Sequence, residues 1–271
     1  MNMQEHIGFI GLGDIGKPMA ACVLDGGYRV TSCAHRRRGA IDELKARGLR
    51  EVGDAFAVGE QVDILLSMVV DEAQTDAVLR GPRGALASLR SGSVVVVMST
   101  VSPNYCQQLA SDAGQRGIAV LDCPVSGGSA RAERGALALI CGGDVAVLER
   151  CRALLETVGH VHHCGAVGMG QVAKLANQGI VFSIVQLVQE ARAMADSYGM
   201  DLDTLMQVLN QSSARTVVGD QWSFFRTAWP HLASLGKKDV ELCLAAAQAK
   251  GVSMPLLDAR RQLSWVLEAD D

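Results

Sequence analysis

The chain has 271 residues, 49% of them hydrophobic and 20% charged, with a formal net charge of −4. That length holds one large domain or two smaller ones with real cores, in an ordinary soluble composition. The mild negative charge excludes a general attraction to nucleic acid or to an anionic membrane, and neither is expected as a partner.

The N-terminus runs straight into "HIGFIGLG", with no charged leader before it, so no signal peptide is expected. From there to residue 164, short apolar runs alternate with helix-length segments: "YRVTSCA", "VDILLSMVV", "SVVVVMS", "IAVLDCP", "ALALICGG". Runs that are apolar on both faces and separated by helices predict a parallel sheet covered on both sides. After Gly165 the strand pattern stops. Residues 167–197, 201–210, 239–250 and 255–267 carry a helical pattern, with starts at Asp201, Asp203 and Pro255.

The first chemistry lies in "GFIGLGDIGKPMA", where Gly11, Gly13 and Gly16 form G-x-G-x-x-G between a strand and a helix. The first glycine permits the tight turn, the second lets the backbone approach a pyrophosphate, and the third brings helix and strand close. The helix N-terminus then offers N–H groups to the phosphates. The motif alone is weak, but the strand before it and the helix after it point to a dinucleotide site. The expectation is therefore an α/β fold: an N-terminal Rossmann-type doubly wound parallel sheet over 1–164, then an all-helical domain over 165–271, opened by a long interdomain helix. An NAD site places an acid about twenty residues on. In "VTSCAHRRRGA" that place falls on Ala34, followed by His35, Arg36, Arg37 and Arg38. Guanidinium groups bind a 2′-phosphate that a carboxylate would repel, so NADP(H) is expected in preference to NAD(H).

Further along, "PVSGGSARAERGAL" offers the Ser126 hydroxyl, and the successive N–H groups of Gly127 and Gly128 can form a concave anion site. "HVHHC" at 160–164 has the residue types of a metal site, but its ligands lie too close together for a tetrahedral set, and no metal is expected. In "QVAKLANQGIVFSIVQLVQE" one charged side chain, Lys174, stands between Gln171 and Gln189. A helix apolar on nearly every side belongs in a core, where an ammonium is costly. Asn177 and Gln178 lie one turn further along on the same face, so that face is expected to line a cleft. These polar residues, with Gln186, argue against a bilayer span. Trp222, Phe224, Phe225 and Trp229 read as core filling. The eight cysteines show no CxxC pair, which fits reduced, buried thiols in the cytoplasm.

Five segments in this order make the chain resemble the β-hydroxyacid dehydrogenases, which include 3-hydroxyisobutyrate dehydrogenase and tartronate semialdehyde reductase. "GFIGLGDIGKPMA" looks like the family's N-terminal fingerprint, and "VVMSTVSP" (96–103) its strand-end segment beside the nicotinamide ribose. "DCPVSGG" (122–128) resembles its substrate loop, "GMGQVAKLANQ" its catalytic helix, and "GKKDVELCLAAA" the Lys-Asp motif that starts a late helix. The resemblance implies an NADP-dependent oxidoreductase that moves a hydride between nicotinamide and a small β-hydroxy acid or semialdehyde, with Lys174 as general acid/base. It implies cofactor contacts from Gly11, Leu12, Gly13, Asp14, Ile15 and Gly16, from His35, Arg36 and Arg37, and from Met68, Val69, Ser99, Thr100 and Lys238. A carboxylate substrate would meet Ser126, Gly127, Gly128, Asn177 and Gln178. The sequence departs from the pattern in four places. Gln178 replaces a second Asn (as in the reductase branch), Ala34 an acid, and Val97 another acid, and the final helix looks short. Two alternatives are an imine reductase and an inactive dinucleotide-binding interaction module; both usually lack the lysine, and "PVSGG" speaks against the first. The long apolar helix predicts a homodimer or homotetramer.

Overall fold

Largely buried strands, with the half-exposed β3 at one edge, pair into a parallel six-stranded sheet, made of β1 (His6–Ile10), β2 (Arg29–Cys33), β3 (Arg50–Val52), β4 (Ile64–Ser67), β5 (Val94–Val97) and β6 (Ala119–Asp122). The spatial order is β3-β2-β1-β4-β5-β6, the doubly wound arrangement that reverses direction between β1 and β4. This is the expected Rossmann-type sheet. The computed structural model describes residues 5–33 and 38–267.

The two-residue period of a strand divides the apolar side chains between two cores. Ile7, Phe9, Ile64, Leu66, Val94 and Val96 bury on one face, and Leu65, Val95, Val97 and Val120 on the other. The connections are α1 (Gly16–Asp25), α2 (Gly39–Lys45), α3 (Ala55–Gly59), α4 (Glu72–Arg80) and α5 (Pro103–Gly114). Side chains cap three of these helices at their N-termini: Asp54 accepts from the Ala57 N–H, Asp71 from Gln74, and Ser102 from Tyr105.

Strand register brings four of the strand ends level. Ile10 pairs with Ser67, Ser67 with Val97, and Val97 with Asp122, so β1, β4, β5 and β6 all end in one row. Every loop that leaves this row starts at the same edge of the sheet.

Beyond β6 the structure adds a second sheet that the sequence pattern only half announces. It comprises β7 (Val125–Ser126), β8 (Leu137–Cys141) and β9 (Gly159–His163), with β7 antiparallel to β8 and β8 parallel to β9. Helices α6 (Gly128–Ala132) and α7 (Val145–Leu155) connect these strands. An Asp122–Gly142 bridge joins the second sheet to the end of β6. That bridge brings Cys123 opposite Cys141, with their Cα atoms 4.1 Å apart, and the two are joined as a disulfide. This corrects the expectation that all eight cysteines are reduced. Close side-chain approach in an antiparallel pair puts two distant cysteines together, without any CxxC spacing to announce it. The other six are free.

The chain divides into two units, Met1–Lys174 and Leu175–Asp271. The division falls inside α8 (Met169–Ser197), whose first turn bonds to Asp122 at the end of β6 and to Ser99 just past β5. The second unit is helical: the rest of α8, then α9 (Leu202–Asn210), α10 (Val217–Asp220), α11 (Trp222–Gln248) and α12 (Pro255–Gln262). Helix α11 corrects the expected 239–250 segment, since it begins at Trp222 and runs on through Pro230. The reason is its buried face: Trp222, Trp229, Gly236, Asp239 and Val240 are buried at helical spacing, which outweighs the lost hydrogen bond at proline. Gly236 stands where a Cβ would meet the Phe182 ring at 2.5 Å. Trp229 stacks on Trp265 at 6.1 Å and an angle of 8°, whereas Phe224 is exposed and lies outside this core. Among the described residues no helix is long and apolar enough to cross a membrane.

Candidate functional site

The loops leaving the level row carry most of the predicted cofactor residues. Gly11 follows Ile10, Met68 and Val69 follow Ser67, and Ser99 and Thr100 follow Val97 by two and three positions. The ladder continues briefly past the strands, with the Met68 N–H donating to the Ile10 carbonyl and Met98 to Ser67. Gly11 has φ +101°, and a Cβ on it would collide with the Met68 carbonyl and reach Val69 Cγ1 at 3.1 Å. A Cβ on Gly16 would strike the Gly11 carbonyl, so α1 lies directly on the turn. Around Gly13 nothing stands within 4 Å of an added Cβ. One glycine thus makes the turn, one seats the helix, and one leaves open space. Helix α1 also begins without a side-chain cap, unlike α3, α4 and α5. A bare backbone, an uncapped helix start and an open cradle at the sheet's reversal point fit the pyrophosphate of a dinucleotide. Leu12, Asp14 and Ile15 lie in this same turn.

His35, Arg36 and Arg37 fall outside the described residues. The next residue, Arg38, bonds Glu51 through two nitrogens, at 3.0 and 3.1 Å, and Asp42 at 3.2 Å. Lys45 holds the same Glu51 at 2.8 Å. The Arg38 hydrogen bond, then that of Lys45, lowers the Glu51 carboxyl to about 2. Glu51, which pairs with Ser32 of β2, is therefore held by two basic neighbours of its own.

Ser126 ends β7, and Gly127 and Gly128 follow it with φ of +137° and +71°. No neighbour lies within 4 Å of an added Cβ at Gly128, so the backbone is open on that side.

Helix α8 enters the first unit through a buried carboxylate. Asp122, at 0% exposure, accepts from the Gly168 N–H at 2.6 Å through Oδ1 and from the Gln171 N–H at 2.8 Å through Oδ2. Burial pushes this carboxyl above its ordinary range, and the N–H donors pull the other way. Gly170 permits the approach, because a Cβ there would meet the backbone and carboxylate oxygens of Asp122 at 2.8 Å. Gln171 is also fully buried. Its Oε1 accepts from the Val101 N–H at 3.1 Å, and its Nε2 donates to the Ser99 carbonyl at 2.9 Å. Ser99 Oγ in turn accepts from the Val69 N–H at 3.0 Å and donates to the Val69 carbonyl at 2.8 Å. Lys174 stands one turn beyond Gln171 and is only 7% exposed.

In the helical unit, Asn177 Nδ2 donates to Gln178 Oε1 at 3.1 Å, and Gln178 Nε2 donates to Asp239 Oδ2 at 2.6 Å. Lys238 Nζ lies 2.9 Å from Asp239 Oδ1, and Asp239 is 4% exposed. Asn177, Gln178 and Lys238 thus share one polar chain through a buried acid. Asp122, Gln171 and the organising role of Asp239 are not among the residues singled out from sequence. The available signal was a polar residue at the end of an apolar strand or in the first turn of an apolar helix.

Comparison with known proteins adds an independent line. The family model described as the NAD-binding domain of 6-phosphogluconate dehydrogenase matches residues 6–170. The one described as NAD-binding of NADP-dependent 3-hydroxyisobutyrate dehydrogenase matches 168–271. The chain is 36% identical to a 2-hydroxy-3-oxopropionate reductase of Escherichia coli, covering 92% of this chain and 86% of that one. It is 32% identical to an NAD-dependent L-serine dehydrogenase of Pseudomonas aeruginosa, covering 93% and 89%. A Mycobacterium tuberculosis 3-hydroxyisobutyrate dehydrogenase solved with L-serine superposes with a TM-score of 0.82 at 26% identity, covering 96% and 92%.

The glycines separate folding from binding. Gly13→Ala adds a methyl to open space at an ordinary φ, so its melting temperature should match the wild type while nucleotide affinity falls at least ~10-fold, about 1.4 kcal/mol. Gly16→Ala should instead lower stability by about 1–3 kcal/mol through overpacking. Thermal melts and nucleotide titration of the two variants check this. Equal melting temperatures would contradict it.

Proposed function

This chain belongs to the β-hydroxyacid dehydrogenase family and is an NAD(P)-dependent dehydrogenase, and from that premise we propose that Lys174 is its proton donor and acceptor in the reduction of a small semialdehyde or the oxidation of a β-hydroxy acid. The observation that carries this reading is the burial of Lys174, one turn past Gln171, in a helix bonded to the strand ends that carry Ser99 and Thr100. Bound nicotinamide supplies or accepts the hydride. In reduction, the aldehyde carbon gains the hydride and its oxygen takes a proton from Lys174 Nζ, so the carbonyl becomes a primary alcohol. In oxidation the same nitrogen takes that proton back. Ser126 and the N–H groups of Gly127 and Gly128 hold the substrate carboxylate, while the side-chain amides of Asn177 and Gln178 bond its oxygens.

The cofactor is NADP(H) in preference to NAD(H). In support, no acid stands at Ala34, the run His35, Arg36, Arg37 follows, and Glu51 is already taken by Arg38 and Lys45. The protein works as a homodimer or homotetramer. In support, Ile180, Leu187 and Met194 recur every seventh residue on α8 and are 62%, 61% and 62% exposed, an apolar stripe that a second subunit would cover.

Three measurements check these statements. Lys174→Ala should cut kcat by about 10²–10⁴ with nucleotide affinity nearly unchanged. Lys174→Arg should be nearly as inactive, since guanidinium keeps its proton near neutral pH; a fully active alanine variant would contradict the role. NADPH should bind at least ~10-fold more tightly than NADH, one charge-assisted phosphate contact being worth roughly 1.5–3 kcal/mol, and Arg36→Ala or Arg37→Ala should erode that difference. Equal affinities in the wild type would refute it. Light scattering at micromolar concentration should give a dimer or larger; a monomer would refute the assembly.

A further inference from the structure

The catalytic helix must present Lys174 at one rotation and one height, and two residues with no assigned part in the chemistry are built to set both. We propose that Asp122 and Gln171 are positioning residues of the dehydrogenase reaction: together they lock the first turn of α8 to the ends of β4, β5 and β6, and so aim Lys174. The inference rests on Lys174 being the proton donor.

Asp122 fixes the height. It is the last residue of β6, and its main chain is held on both sides by the bridge to Gly142, with N···O distances of 3.0 and 2.7 Å. Its carboxylate then spans two helix-start donors, Gly168 and Gln171. Glycine at 170 and at 142 lets the helix start sit directly on strand backbone; a Cβ at Gly142 would meet the Gly170 nitrogen at 2.8 Å.

Gln171 fixes the rotation. Its side-chain amide behaves like a peptide group added to the segment after β5, accepting from Val101 and donating to the Ser99 carbonyl. A one-point contact would let the helix roll, whereas two antiparallel bonds to one backbone segment do not. Ser99 passes the constraint on to Val69 through its hydroxyl. Lys174 follows Gln171 by three residues, about 4.5 Å of helical rise, so any roll at 171 is carried directly to the lysine. The loops tied in this way are those that carry Met68, Val69, Ser99 and Thr100, so the nitrogen that moves the proton and the backbone expected beside the nicotinamide share one frame.

The test uses Gln171→Met, which keeps length and bulk but removes both bonds, and Gln171→Glu, which keeps the acceptor for Val101 and loses the donor to Ser99. Single-turnover oxidation or reduction on the best substrate should give a rate constant lowered about 10–100-fold for Gln171→Met, since a small misplacement costs that much. The amplitude should be full, KM and nucleotide Kd should stay within about 3-fold, and Gln171→Glu should fall between Gln171→Met and the wild type. In the nucleotide-free protein, hydrogen exchange at the Val101 amide should accelerate in Gln171→Met. An unchanged rate constant, or a loss of rate explained wholly by a smaller amplitude, would overturn the proposal and leave Gln171 a packing residue. Lys174→Ala is assayed beside them. If it is inactive while Gln171→Met keeps its rate, the positioning role alone fails; if Lys174→Ala is fully active, the lysine assignment fails and takes this inference with it.

Discussion

One buried carboxylate holds the first unit together where the chemistry is expected. Asp122 has no exposed surface, yet it carries two helix-start N–H groups on its oxygens. A carboxylate in that setting is costly to bury, and hydrogen bonds from oriented backbone donors offset much of the cost. The helix start is the complementary half of the arrangement, because its leading N–H groups have no intrahelical acceptor and its dipole favours negative charge. Neither group is satisfied without the other. Removing the carboxylate would leave buried donors unpaired, and removing the glycines would keep the helix from reaching it.

From that contact the rest of the site is set by register. Four strands end level, so the turns that leave them gather at one edge, where the strand order reverses between β1 and β4. The glycine turn leads into α1 without a side-chain cap, which leaves its first N–H groups open to a ligand. Elsewhere in the same unit Asp54, Asp71, Ser102 and Asp144 cap their own helices. The helical unit repeats the device of a buried acid that organises amides: Asp239 holds Gln178, which holds Asn177. In both units, then, a residue expected to touch substrate or to move a proton lies within one helical turn of a side chain that a buried acid or amide fixes.

Much of this was legible in the sequence because it is local. The glycine spacing, the apolar strands and the charge-poor helix around Lys174 are patterns within a window of a dozen residues, and the six-stranded sheet arises from them. What was not legible is long-range. The Gln171 amide meets Ser99 across 72 positions and Asp122 meets Gln171 across 49, so no periodicity in either segment announces the bond. The Cys123–Cys141 pair and the second sheet depend on the same distant bridge between Asp122 and Gly142. The first half of α11 was not read as helix, and the packing of Trp222, Trp229 and Gly236 shows why the helix starts there and runs through Pro230. The case for His35, Arg36 and Arg37 stands on residue type and position in the chain alone.

The central claim is that the nitrogen of Lys174, and not merely its bulk, moves the proton. It is tested most directly by adding small primary amines to the Lys174→Ala variant and following hydride transfer to or from nicotinamide. The account predicts that the rate rises with amine concentration and tracks amine basicity as general acid–base catalysis does. A rate that stays flat across the series, in a variant that still binds nucleotide and substrate, would contradict it.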